Sequence, residues 1–78
     1  MKLTYNPDLN IAYIRFAEKS GKVSTIRVCD DLNVDIAPDG TVYGIEFLNA
    51  DAQLFGNGGE LELINQALGK SIKVTLPT

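Results

Sequence analysis

Two segments in the middle of the chain alternate apolar and polar residues on either side of a Pro-Asp-Gly sequence. Pro38 presets φ for the first turn position, and Gly40 accepts a positive φ without steric conflict. We therefore predict a β-hairpin with strands over residues 32–37 and 42–48. The alternation in the second strand predicts one face made of Tyr43, Ile45 and Phe47, with Val42 on the other.

Three earlier segments show the same period of two, over residues 2–5, 11–17 and 22–28. Turn-forming residues separate them, first Asn6-Pro7-Asp8 and then the polar run 18–21. A final alternating segment covers residues 71–76. These patterns predict four further strands, so the chain is dominated by β-structure.

The spacing changes after Asn49. Residues 50–55 predict a single helical turn, capped by Asn49 or Asp51. Residues 60–68 predict a longer helix, because apolar side chains recur at the i, i+3 and i+7 positions, and Gly69 is suited to end it. The apolar positions of that helix are Leu61, Ile64 and Leu68.

Strands followed by one helix predict an α+β fold in a single domain over residues 1–78. We expect a mostly antiparallel sheet of five to six strands with one C-terminal helix packed on one face. One helix is too narrow for such a sheet, and a short chain gains stability by burying a face against a partner. The predicted function is therefore self-association, as a homodimer, or binding of a small partner protein. The candidate contact residues on the open face are Ile11, Tyr13, Arg15 and Val42.

Composition narrows the possible partners. Ten acidic and seven basic residues give a net charge of −3, which disfavours binding to nucleic acid. No apolar run approaches the roughly 20 residues that a membrane-spanning helix needs. Cys29 is the only cysteine, and residues 1–7 lack the apolar stretch of a signal peptide, which predicts a cytoplasmic protein.

Candidate chemistry is sparse. The chain has no histidine, so a Cys/His zinc site is excluded, and Cys29 lacks a neighbouring base that would make it nucleophilic. We predict no catalytic residue and no cofactor. Four carboxylates are weak candidates for a divalent metal site, which gives the alternative function of a metal- or small-ligand-binding domain. The competing interpretation is a solvated outer face with basic residues alongside. These acidic residues are Asp30, Asp31, Asp35 and Glu46.

Several short motifs resemble one known family. They are KLTYNP at 2–7, AYIRF at 12–16, NVD at 33–35, and DG at 39–40 followed by VYGIEFLNA at 42–50. The chain resembles the DUF2283 family of small bacterial proteins of unknown function. Some members are similar to small partner proteins encoded beside toxin-like open reading frames. The resemblance thus implies a protein-binding, antitoxin-like role, which is a family analogy and not a statement about chemistry.

Overall fold

The computed structural model describes residues 1–18, 21–56 and 58–77, and these contain seven β-strands and one α-helix. In chain order they are β1 (Lys2–Asn6), β2 (Ile11–Arg15), β3 (Ser24–Cys29), β4 (Leu32–Ile36), β5 (Val42–Leu48), α1 (Ala50–Leu54), β6 (Glu60–Asn65) and β7 (Lys70–Thr75).

Five of the strands form one antiparallel sheet in the order β1-β2-β5-β4-β3, which confirms the predicted antiparallel sheet. The predicted central hairpin is β4–β5. Its turn is closed by hydrogen bonds from Ala37 N to Thr41 O (2.8 Å) and from Gly40 N to Ala37 O (2.9 Å), with Gly40 at φ +89°. The Thr41 hydroxyl also donates to Asp39, and this bond lowers the pKa of the Asp39 carboxyl.

The predicted helix over residues 60–68 is wrong, because β6 and β7 pair there as a separate two-stranded antiparallel hairpin. Residues 60–63 alternate Glu and Leu, and this period of two prevails over the sparser helical spacing. The Asn65 side chain accepts hydrogen bonds from the backbone N–H groups of Ala67 and Leu68, both at 3.1 Å. Gly69 then closes the turn at φ +65°.

Helix α1 lies in the middle of the chain, where a single helical turn was predicted, and not at the C-terminus. Its N-cap residue Asn49 has φ +54° and makes no side-chain cap bond. At five residues, α1 is about 7.5 Å long, which is far shorter than the sheet is wide. The predicted architecture of a sheet covered by one C-terminal helix is therefore wrong in the position and the size of that helix.

One face of the five-stranded sheet is apolar. Strand register aligns a row of apolar residues across all five strands, namely Leu3, Ile14, Ile45, Val34 and Ile26. A second row lies beside it and consists of Tyr5, Ala12, Phe47, Leu32 and Cys29. We call these two rows, with Ile36 and its partner Val42, the apolar sheet face. Among the described residues, the only fully buried apolar side chains are Ala12 and Ala50.

Asn10 joins the β1–β2 turn to the start of α1. It adopts a left-handed backbone conformation (φ +55°), and its carbonyl accepts a hydrogen bond from Ala50 N at 3.0 Å. Its side chain donates to the Asp51 carboxylate and accepts from Asp51 N, both at 2.8 Å. Only an amide makes both bonds, because a carboxylate at this position has no hydrogen to donate.

We expect Asn10→Asp to lower the free energy of unfolding at pH 7 by about 1–2 kcal/mol, because a hydrogen bond becomes a contact between two carboxylates. The double change Asn10→Asp/Asp51→Asn restores a donor and should recover most of the loss. Denaturant unfolding measures both effects.

Asn6→Asp is the matched control. The Asn6 side chain only accepts hydrogen bonds, from Asp8 N and Leu9 N, and an aspartate can accept both. Equal losses for Asn6→Asp and Asn10→Asp would contradict the assigned role of the Asn10 amide.

Candidate functional site

The opposite side of the five-stranded sheet is mostly polar, and register aligns its residues in two rows. The first row is Thr4, Tyr13, Glu46, Asn33 and Arg27. The second row is Lys2, Arg15, Gly44, Asp35 and Thr25. We call this side the polar sheet face.

Asp35 is the centre of a hydrogen-bonded network on the polar sheet face. The Tyr13 hydroxyl donates to Asp35 Oδ2, and the Thr25 hydroxyl donates to Asp35 Oδ1, both at 2.6 Å. Tyr13 lies on β2 and Asp35 on β4, so the phenol reaches across the intervening strand β5. Both carboxylate oxygens of Asp35 thus hold partners from within the sheet.

Gly44 makes this crossing possible. It is buried on β5, directly opposite both Asp35 and Arg15. A Cβ atom added at Gly44 would lie 2.6 Å from the Cε1 and Cζ atoms of Tyr13, far closer than van der Waals contact. The absence of a side chain here therefore gives the Tyr13 ring its place over the strand.

Burial is the main cause that raises the pKa of the Tyr13 phenol above its ordinary value, followed by the hydrogen bond to the Asp35 carboxylate. The charges of Asp35 and Glu46 act in the same direction. A phenol that holds its proton so firmly is a hydrogen-bond donor at neutral pH and not a general base or a nucleophile. The hydrogen-bonded network around Asp35 therefore links strands of the sheet to one another.

The four acidic residues proposed for a metal do not come together. Asp35 and Glu46 are diagonal neighbours, since Asp35 pairs with Gly44 and Glu46 with Asn33. Glu46 accepts a hydrogen bond from the Asn33 amide at 3.0 Å. Residues 1–18, 21–56 and 58–77 contain no group of three or more metal-ligating side chains.

Asp30 and Asp31 lie in the β3–β4 turn, away from the Asp35 network. Asp30 is almost fully exposed and forms an ion pair with Arg27 at 3.2 Å. Asp31 acts through its backbone, whose carbonyl accepts hydrogen bonds from Leu48 N at 3.0 Å and from the Gln53 amide at 2.9 Å. The turn is therefore bonded to the end of β5 and, through Gln53, to α1.

Three of the four predicted contact residues lie on the polar sheet face. Tyr13 and Arg15 belong to the rows above, and Ile11 follows by alternation along β2. Tyr13 is half-buried and engaged with Asp35, while Arg15 forms an ion pair with Glu18 at 3.6 Å. Their role in binding stays a prediction, and the face that carries them is more polar than the sequence pattern indicated.

Val42 is not on this face, because a β-bulge shifts the register of β5. The strand pairs are Asp35 with Gly44 and then Ile36 with Val42, so Tyr43 is an extra residue on β5. Val42 consequently shares the apolar sheet face with Ile36. The Tyr43 ring lies 6.5 Å from the Tyr13 ring, which makes the predicted grouping of Tyr43 with Ile45 and Phe47 wrong as well.

Sequence analysis missed a second apolar surface, on the β6–β7 hairpin. Register pairs Leu61 with Val74 and Leu63 with Ile72, so these four side chains share one side of the hairpin. We call this side the hairpin apolar face. All four residues are exposed. The alternation of Glu and Leu in residues 60–63 is the signal that indicates it.

A family model described as "Protein of unknown function (DUF2283)" matches residues 2–50. The chain belongs to this family. The DUF2283 segment spans the whole five-stranded sheet and ends at the first residue of α1, so β6 and β7 lie outside it. No curated protein and no solved structure matches the chain. In the described part of the chain, no helix has the length and apolarity needed to cross a membrane.

We expect Tyr13→Phe to reduce the free energy of unfolding by about 1–2 kcal/mol at pH 8, because Asp35 loses a donor. The raised pKa of folded Tyr13 adds a pH dependence. The stabilising effect of the protonated Tyr13 phenol is complete below the pKa of an unfolded phenol, about 10, and declines as the pH rises beyond that value. The stability difference between wild type and Tyr13→Phe should therefore narrow between about pH 10 and pH 11.

Tyr43→Phe is the control, since it removes a hydroxyl from the neighbouring ring on the same side of the sheet. Thermal unfolding at a series of pH values measures all three proteins. If the difference in free energy of unfolding between wild type and Tyr13→Phe stays constant through alkaline pH, the prediction that folded Tyr13 keeps its proton above pH 10 is refuted.

Proposed function

We propose that this chain is a small interaction module that self-associates through its apolar sheet face. The observation that carries this proposal is that the chain exposes more surface to solvent than a compact monomer of its mass does. The chain exposes 5734 Å², whereas a compact monomer of 8.5 kDa exposes about 4,700 Å². Its radius of gyration of 14.1 Å likewise exceeds the roughly 11.5 Å of a compact domain of this length.

The apolar sheet face contributes to that surplus. Ile26 is 54% exposed and Val42 is 43% exposed, although both lie among apolar neighbours. No large side chain in the described residues is fully buried. Stable domains cover an apolar sheet face with a second layer, and α1 is too short to provide one. A partner that supplies the missing layer explains the composition of this face.

A second copy of the chain fits the size of the surplus. A standard protein interface buries about 800 Å² on each partner, and the chain exposes roughly 1,000 Å² more than a compact monomer does. Most soluble assemblies are symmetric homodimers, which bury the same face on both copies. The polar sheet face is the less favourable alternative, because its central groups Tyr13, Asp35 and Thr25 are bonded to each other.

An antitoxin-like role is a finer version of this proposal and rests on the family resemblance. It requires binding of an unrelated protein, for which the same apolar sheet face would be available. The oligomeric state of the purified chain distinguishes such a partner from a second copy.

We expect the purified chain to be a dimer of about twice 8.5 kDa by light scattering at micromolar concentration. Ile26→Lys should weaken the dimer by about tenfold or more, because it introduces a charge into the proposed interface. Ile26 is exposed in the isolated chain, so the substitution should leave the secondary structure intact.

Thr4→Lys is the matched control, as it adds the same charge to the other edge strand on the polar sheet face. It should leave the dimer unchanged. A wild-type chain that stays monomeric at high concentration would reject the proposed function. Equal weakening by Thr4→Lys and Ile26→Lys would overturn the assignment of the interface to the apolar sheet face.

A further inference from the structure

The β6–β7 hairpin is separate from the five-stranded sheet, and we call it the arm. Its strands pair with each other over six residue pairs, and neither strand joins the five-stranded sheet. All of its residues from Glu60 to Thr75 are exposed. An isolated two-stranded hairpin is marginally stable in water, so an ordered arm of this kind needs a surface to lie on.

The base of the arm is fixed to the sheet. Leu76 N donates a hydrogen bond to Gly59 O at 2.8 Å, which continues the strand pairing. Gly59 is buried with φ +72°, and a Cβ atom there would lie 2.8 Å from the Phe55 ring. Phe55 in turn packs on Tyr5, with ring centroids 4.4 Å apart. The arm therefore leaves the sheet at a defined point.

The apolar surfaces of arm and sheet are continuous at this point. Leu76 follows Ile72 and Val74 in the alternation of β7, so it belongs to the hairpin apolar face. It lines a groove of about 350 Å³ together with Leu3 and Tyr5, which belong to the apolar sheet face. Apart from Leu76 at its base, the hairpin makes no extended contact with its own sheet among the described residues.

The two sides of the hairpin differ in charge. The side opposite the hairpin apolar face carries Glu60, Glu62 and Lys73, with an ion pair between Glu60 and Lys73 at 3.9 Å, and one exposed apolar residue, Ile64. This side is suited to water, whereas the hairpin apolar face and the apolar sheet face are suited to each other. All four residues of the hairpin apolar face are exposed, and the apolar sheet face has exposed side chains at Ile26 and Val42.

We propose that the β6–β7 hairpin of one copy lies across the apolar sheet face of a second copy, in a reciprocal exchange that forms a closed dimer. The proposal rests on the proposed function and names its partner and its geometry. A two-fold axis makes the exchange self-complementary, because each copy gives one arm and receives one. The hairpin supplies the second layer that α1 is too short to form.

The test combines two substitutions, one on each surface. Ile72→Glu places a charge on the hairpin apolar face, and Ile26→Lys places one on the apolar sheet face. Each variant alone should weaken the dimer by about tenfold or more, since both contacts in its homodimer then carry an unpaired charge. Ser71→Glu is the control for Ile72→Glu, as it adds the same charge to the opposite side of β7.

Mixing the two variants tests the exchange itself. The mixed dimer contains one unaltered arm-on-sheet contact, and its other contact carries two charges of opposite sign. We expect native mass spectrometry of the mixture to show heterodimer well above the half that random pairing gives, and light scattering to show recovered dimer. Circular dichroism of each variant checks that it is folded.

The other outcomes separate the two proposals. If Ile26→Lys weakens the dimer and Ile72→Glu does not, the sheet faces stack on each other; self-association then stands and the exchange is overturned. If both variants weaken the dimer and the mixture shows no recovery, the exchange is again overturned. A wild-type chain that is monomeric at high concentration rejects the exchange and the proposed function together.

Discussion

A β-sheet that is apolar on one side needs a second layer over that side, and the rest of this structure depends on how the chain meets that need. Domains usually provide the layer from their own helices or from a second sheet. Here the only helix among the described residues is five residues long, and the two remaining strands pair with each other in a separate hairpin. The described residues thus form the first layer, and under the proposed self-association a second copy supplies the other. In that case dimerisation adds to the stability of the fold and makes it depend on protein concentration.

The polar sheet face explains why the sheet holds its shape without a large core. Tyr13 spans β5 over Gly44 and bonds to Asp35, which also holds Thr25 on the edge strand β3. One carboxylate therefore links three strands of the sheet. Side-chain networks of this kind fix the register of strands, because a one-residue slip would move every partner to the opposite face. Of the four carboxylates considered for metal binding, Asp35 is used for this purpose.

Local turn chemistry and the period of two were enough to predict the five strands of the sheet, its central hairpin and the helical turn after Asn49. The strand predicted over residues 71–76 exists as β7, but it pairs with β6 and does not join the sheet. The helix over residues 60–68 was wrong because Leu61, Ile64 and Leu68 satisfy a helical spacing while Leu61 and Leu63 satisfy a strand spacing, and Asn65 and Gly69 decide the matter by forming a turn. The error at Val42 has another cause. A bulge changes which face a residue occupies without changing the alternation of the sequence, so only the partner strand reveals it. Contacts between distant residues, such as Tyr13 with Asp35, have no signature in spacing.

A second bulge has a consequence for how far the proposed assembly can grow. In β3 the register shifts between Arg27 and Cys29, which leaves Val28 as an extra residue on an edge strand. A regular edge would offer a continuous row of unpaired backbone groups to the next molecule, and sheets that join edge to edge extend into fibres. The irregular ladder of β3 and the charge of Arg27 interrupt that row. For the proposed assembly, the irregular β3 edge favours a closed particle of defined size over open-ended polymerisation.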